Sequence, residues 1–184
     1  MALIVGIVIA LVVLAAVISF NRFVKQRQLI DNSWSNVETE LGRRHDLIPN
    51  LVATVQGYAT HEQDTFRIVT EARTAASAAV GGPEAHTGPE QNLTTGLRQL
   101  LAVSEAYPEL HASGQFLELQ RELVTTEDRI QASRRLFNSN VREYNQRVET
   151  IPSMVIARLG GFQRRLYFEI EPSAAAVPSA RSTD

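Results

Sequence analysis

From Ala2 to Phe20 the chain runs nineteen residues without a charge, and Ser19 is the only polar side chain among them. No other feature restricts the fold as strongly. A segment that enters hydrocarbon must satisfy its backbone N–H and C=O groups internally, so it must be helical. As a helix these residues rise about 28 Å, close to the ~30 Å hydrocarbon core of a bilayer. A cleaved signal peptide would have a basic stretch before a shorter apolar core and a small-residue cleavage site. Here nothing basic precedes the run, and Arg22, Lys25 and Arg27 follow it. The length and the flanks therefore favour an uncleaved anchor bounded by Ala2 and Phe20. By the positive-inside rule the three cations hold the C-terminal side in the cytoplasm, with the short N-terminus outside. The expected location is the cell inner membrane, crossed once.

The remaining chain, about 160 residues, is enough for one domain with its own core. A formal charge of −2 with interspersed signs makes no single-sign field, which argues against nucleic acid as a partner. The chain has no cysteine, so disulfides, thiolate catalysis and Cys-ligated zinc are excluded.

Periodicity marks this part as all-α. Two columns spaced by seven run along it: Trp34, Leu41, Ile48, Val55, Glu62, Val69 and Ala76, and beside them Ile30, Val37, Arg44, Leu51, Tyr58, Thr65 and Ala72. A second segment carries Phe116, Leu123, Ile130, Phe137, Tyr144 and Ile151. Apolar positions three and four apart make a stripe suited to bundle packing. Val80 to Pro89, with three Gly and two Pro, reads as a loop. A shorter helix is expected over about Gln91 to Ala106, ended by Tyr107-Pro108. Pro49 does not disturb the phase of its column, so a kinked but continuous helix is favoured over a hairpin there. The fold expected is an N-terminal transmembrane helix followed by an elongated up-and-down helical bundle of three to four main helices. Its long helices should span about Phe23 to Ala79 and Gln115 to Ile151. The domain boundaries expected are an anchor over 1–21, a bundle over 22–171 and a disordered Ala/Ser/Pro tail over 172–184.

The densest string is Arg43-Arg44-His45-Asp46-Leu47-Ile48-Pro49-Asn50-Leu51-Val52, followed by Gly57-Tyr58-Ala59-Thr60-His61-Glu62. Later come Ala102 to Pro108, Leu119 to Leu123, Thr126 to Ile130, Phe137-Asn138, Tyr144-Asn145, Gly161-Phe162 and Tyr167-Phe168-Glu169. In this order, behind an apolar helix, the strings resemble the LemA family of bacterial membrane-anchored proteins over about Trp34 to Glu169. The resemblance implies a membrane-tethered helical bundle. It implies no established biochemical activity, because the family has none generally assigned. Gly160-Gly161 and the Ala/Ser/Pro tail look like local departures at the bundle's C-terminal end.

His45, Asp46, His61 and Glu62 are the tempting metal ligands. A zinc-protease helix needs His-Glu-x-x-His, but Thr65 stands where the second His would be. The Glu-x-x-His pairs of a di-iron bundle do not occur. On one straight helix His45 and His61 would lie about 24 Å apart. No nucleophile elbow or phosphate-cradling glycine loop occurs either. No catalytic residue, metal or cofactor is therefore assigned. The bland reading is a polar layer that specifies which helices meet. Arg44 and Glu62 occupy seam columns, His45 lies beside them, and Glu127 and Arg134 flank the second seam one turn from Asn138. Glu40 with Arg44 reads as an ordinary exposed pair four apart. In the last stretch Arg158, Arg164 and Arg165 mix with Phe162 and Tyr167, which suits contact with anionic lipid; the competing reading has the aromatics capping the bundle.

The function expected is a non-catalytic scaffold that self-associates at the cytoplasmic face, with membrane lipid and further copies of itself as partners. The alternative is an adaptor or regulator of another membrane protein, and a metal-dependent enzyme stands third.

Overall fold

The computed structural model describes residues 1–170, so the expected tail at 172–184 lies outside the described residues. Six helices form among them: α1 Ala2–Gln56, α2 Gln63–Ser77, α3 Pro83–Ser104, α4 Pro108–His111, α5 Gly114–Glu149 and α6 Ser153–Leu159. The protein is all-α, with one N-terminal apolar helix and a compact bundle of helices.

Helix α1 passes through Pro49 without interruption. A proline inside a helix removes the N–H that would bond the carbonyl four residues back, here that of His45. The Arg73 guanidinium supplies the missing donor, its Nε lying 3.2 Å from the His45 carbonyl oxygen. The continuous helix expected to reach Ala79 does not form, however. It stops at Gln56, and the segment from Gly57 to Glu62 turns on hydrogen bonds such as Ala59 N–H to Val55 O at 2.9 Å. The column keeps phase because Val55 and Val69 are both buried and stand two whole heptads apart, so periodicity could not reveal the break.

The loop expected over Val80 to Pro89 is shorter than it reads. Gly82 is the extended cap of α3, Pro83 is its first helical residue, and Pro89 lies within it. Proline is well placed at a helix start, where its missing N–H would have had no partner. Two whole turns are thereby added ahead of Gln91. Ile151, expected at the end of the last seam, lies beyond α5 and is 79% exposed.

Residues 1–35 and 135–167 form one compact unit; 36–134 with 168–170 form a second. In the first, Phe23 is the first buried residue of α1, and side chains 2–22 are exposed apart from partial cover at Ala16 and Ser19. Phe23 stacks on Phe162 with ring centroids 4.7 Å apart and meets the edge of Tyr144 at 5.9 Å. Trp34 packs on Phe137 at 5.3 Å, and Asn140 donates to the Ser33 hydroxyl at 3.2 Å. The second unit packs Ile48, Leu51 and Val55 with Phe66, Val69, Leu93, Leu97, Leu100, Phe116 and Leu123. The short connection from α2 to α3 returns the chain as a helical hairpin. Gly96 lets the two helices approach closely: a Cβ there would sit 3.4 Å from Val69 Cγ2.

Candidate functional site

The charged groups that stand out by burial are gathered inside the second unit. Arg44 of α1 is fully buried, as is Glu90 of α3, while Glu127 of α5 is 3% exposed. Arg44 Nη2 donates to Glu90 Oε2, and its Nη1 donates to Glu127 Oε2 at 3.1 Å and reaches Thr94 Oγ1 at 3.5 Å. The second oxygen of Glu90 accepts from His45 Nε2 at 2.9 Å, and that of Glu127 accepts from Gln131 at 3.2 Å. With Arg73 of α2 bonded to the His45 carbonyl, four helices meet at one polar node.

Each position follows from local structure. Arg44 shares its stripe with Ile30, Val37 and Leu51, all buried. Glu90 shares the face of α3 that carries Leu93, Leu97 and Leu100, which are fully buried. A buried ion is tolerated only when it is paired and its remaining hydrogen-bonding capacity is met. Both carboxylates meet that requirement. Burial alone would raise the Glu90 pKa. The hydrogen bond from His45 and the charges of Arg44 and His45 outweigh it, and the carboxyl is held below its ordinary range.

The polar layer proposed from the sequence is thus only partly assembled. Arg44, His45 and Glu127 come together. Glu62 does not join them: it precedes α2 as its N-cap residue and is half-buried. Its column position was inferred from a helix that ends at Gln56. Arg134 is half-buried and donates to the Ile170 carbonyl, while Asn138 is half-buried in the first unit. The exposed pair expected between Glu40 and Arg44 is replaced by Glu40 with Arg43 at 3.7 Å, because Arg44 points inward. Glu90 and Thr94 were missed. Proline and glycine at 88–89 made this stretch read as a loop, yet the leucine stripe of α3, extended one turn toward its start, lands on Glu90.

Of the tempting metal ligands, His45 is bonded within the node, Asp46 is exposed on α1, and His61 is exposed in the turn before α2. Among the described residues no group of three or more His, Asp or Glu side chains could hold a metal ion. The geometry describes a node that locks helices, with Arg44 at the centre where a metal would have to sit.

A profile of the LemA family matches residues 33–181. The chain belongs to the LemA family. Its curated relatives include magnetosome proteins MamQ 1 and MamQ 2 of Paramagnetospirillum magneticum, each 27% identical over 179 residues. Magnetosome protein MamQ of Magnetospirillum gryphiswaldense is 26% identical. Each alignment covers 84% of this chain and 66% of the relative, so the chain spans just under two thirds of their length. The apolar N-terminal helix and the family together support a single-pass, inner-membrane location.

Proposed function

We propose that this LemA-family protein is a non-catalytic scaffold that self-associates at the cytoplasmic face of the bacterial inner membrane. The observation that carries this reading is the polar node. The strongest charges of the bundle are buried against one another and serve to fix helix register, which is the best-attested use of buried ions. The anchor is assigned to 1–21 and the bundle to 22–171, with Arg22, Lys25 and Arg27 holding the bundle in the cytoplasm. Confining every copy to two dimensions raises its effective concentration, so weak contacts between bundles suffice for assembly. The relatives' designation as magnetosome proteins ties them to a cellular structure rather than to a reaction. Native mass spectrometry of full-length protein in mild detergent tests the reading. Oligomers are expected, and strict monomers across membrane-like concentrations would overturn it.

A second reading, an adaptor for another membrane protein, is favoured by a surface groove of about 520 Å³ within the second unit. Arg43 and Asp46 line one side, with Glu118, Arg121, Glu122 and Arg129 on the other. Such balanced charge suits a polar partner helix laid along it. Crosslinking in cells separates the two readings, since an adaptor yields an unlike partner and a scaffold yields copies of itself.

A further inference from the structure

The first unit contains a cavity of about 230 Å³ whose lining includes Arg27, Arg164, Arg165 and Tyr144. Its walls are held in place from three directions. Asn145, 3% exposed, clamps the backbone of Arg165: its Nδ2 donates to the Arg165 carbonyl at 2.8 Å, and its Oδ1 accepts the Arg165 N–H at 2.8 Å. Gly160 and Gly161 close α6 in a Schellman turn, with Phe162 N–H bonded to Ala157 O at 2.9 Å and Gly161 at φ 68°. The turn delivers Phe162 onto Phe20 and Phe23, with centroids 5.2 Å and 4.7 Å away. Phe20 is the last residue of the apolar run, so the cavity lies at the foot of the anchor.

Tyr144 is 1% exposed, yet its hydroxyl forms no hydrogen bond to the protein among the described residues. A buried tyrosine normally finds a partner for its O–H. Two of the arginines are partly balanced, Arg164 by Glu149 at 3.0 Å and Arg165 by Asp31 at 3.9 Å. Arg27 has no ion-pair partner among the described residues, which leaves the cavity one positive charge in excess. A helix rises about 10 Å from Phe20 to Arg27, a few ångströms past the headgroup layer of about 5–7.5 Å that borders the hydrocarbon.

We propose that this cavity binds the headgroup phosphate of an anionic phospholipid, with Tyr144 donating its O–H and Arg27 its guanidinium to the phosphate oxygens. Arg164 and Arg165 hold the rim positive, and Phe162 carries the segment against the acyl boundary. Arg158 and Tyr167 do not line the cavity, so the lipid contact read from the sequence narrows to three residues of its five-residue set, joined by Arg27 and a tyrosine from α5. The inference needs membrane attachment but not self-association, so either can fail without the other.

The test is native mass spectrometry of the full-length protein in mild detergent, titrated separately with dioctanoyl phosphatidylglycerol, dioctanoyl phosphatidylcholine and inorganic phosphate. A saturable one-to-one adduct with phosphatidylglycerol is expected, roughly ten-fold tighter than with phosphatidylcholine, as two charge-assisted bonds and an unpaired cation require. Tyr144→Phe keeps the ring and removes only the oxygen, and Arg27→Gln alters an exposed side chain. Each should weaken that adduct roughly ten-fold while thermal unfolding is unchanged. Equal affinity for the two lipids, or no loss in Tyr144→Phe and Arg27→Gln, would overturn the site. Binding of inorganic phosphate as tight as that of phosphatidylglycerol would overturn the lipid as its source.

Discussion

Arg44 is the residue on which Glu90, Glu127 and Thr94 converge, and its removal would leave two buried carboxylates without their cation. Breaking such a pair typically costs about 3–5 kcal/mol, so Arg44→Ala and Glu90→Ala should each lower the denaturation midpoint sharply in urea titration. Glu62→Ala should stay within about 0.5 kcal/mol, because Glu62 sits half-buried outside the node. A large loss in Glu62→Ala with none in Glu90→Ala would refute this assignment. Acid should act through the same group. The Glu90 pKa is lower folded than its ordinary value of 4.5, so its stabilisation is complete above that pH and disappears as pH falls through the folded value. Glu90→Gln should therefore flatten the dependence of unfolding free energy on pH below about 4.5.

At the scale of helices, Pro49 and Arg73 form a single device. The proline leaves the His45 carbonyl without its helical donor, and Arg73 of α2 fills the vacancy from outside α1. Arg73→Met should cost about 1 kcal/mol in the parent protein. In a Pro49→Ala background the restored backbone N–H bonds the same carbonyl, and the cost of Arg73→Met should shrink toward zero. A double-mutant cycle on urea midpoints measures this coupling directly. Gly160 is a second element-scale constraint. A Cβ there would lie 2.6 Å from the Phe162 ring, so Gly160→Ala should displace that ring from Phe23. The change should appear as lost aromatic contacts between Phe162 and Phe23 in NMR spectra, with α5 unaffected.

For the whole molecule the testable quantity is orientation. The positive-inside rule acts on Arg22, Lys25 and Arg27 just beyond the apolar run. The chain has no native cysteine, so one introduced at exposed Ser139 of α5 reports without background. In intact spheroplasts it should resist a membrane-impermeant maleimide and react only after permeabilisation. Labelling before permeabilisation would place the bundle outside.

The apolar run and the all-helical class were legible from composition and period, because both are local properties, and the family was legible only as a resemblance carried by the strings from Arg43 to Glu169. The column of Ile, Val and Leu also placed Arg44 inward, while its four-residue spacing from Glu40 read it as exposed; burial decided between the two. The end of α1 at Gln56 was not legible. A seven-residue repeat that stays in phase across a turn is the same string whether or not the helix continues. Glu90 was hidden because Pro83 and Pro89 weigh as breakers locally. Burial of α3 against its neighbours is what makes the helix, and the polar node then takes its second carboxylate from there. Tyr144 read simply as core, since a period records which side a residue faces and nothing about where its hydroxyl ends. Which counter-charge meets Arg44, which side chain caps the His45 carbonyl and which arginines line the Tyr144 cavity depend on contacts between residues far apart in the chain. Only tertiary packing decides them, because each pairing is selected by the cost of leaving a buried polar group alone.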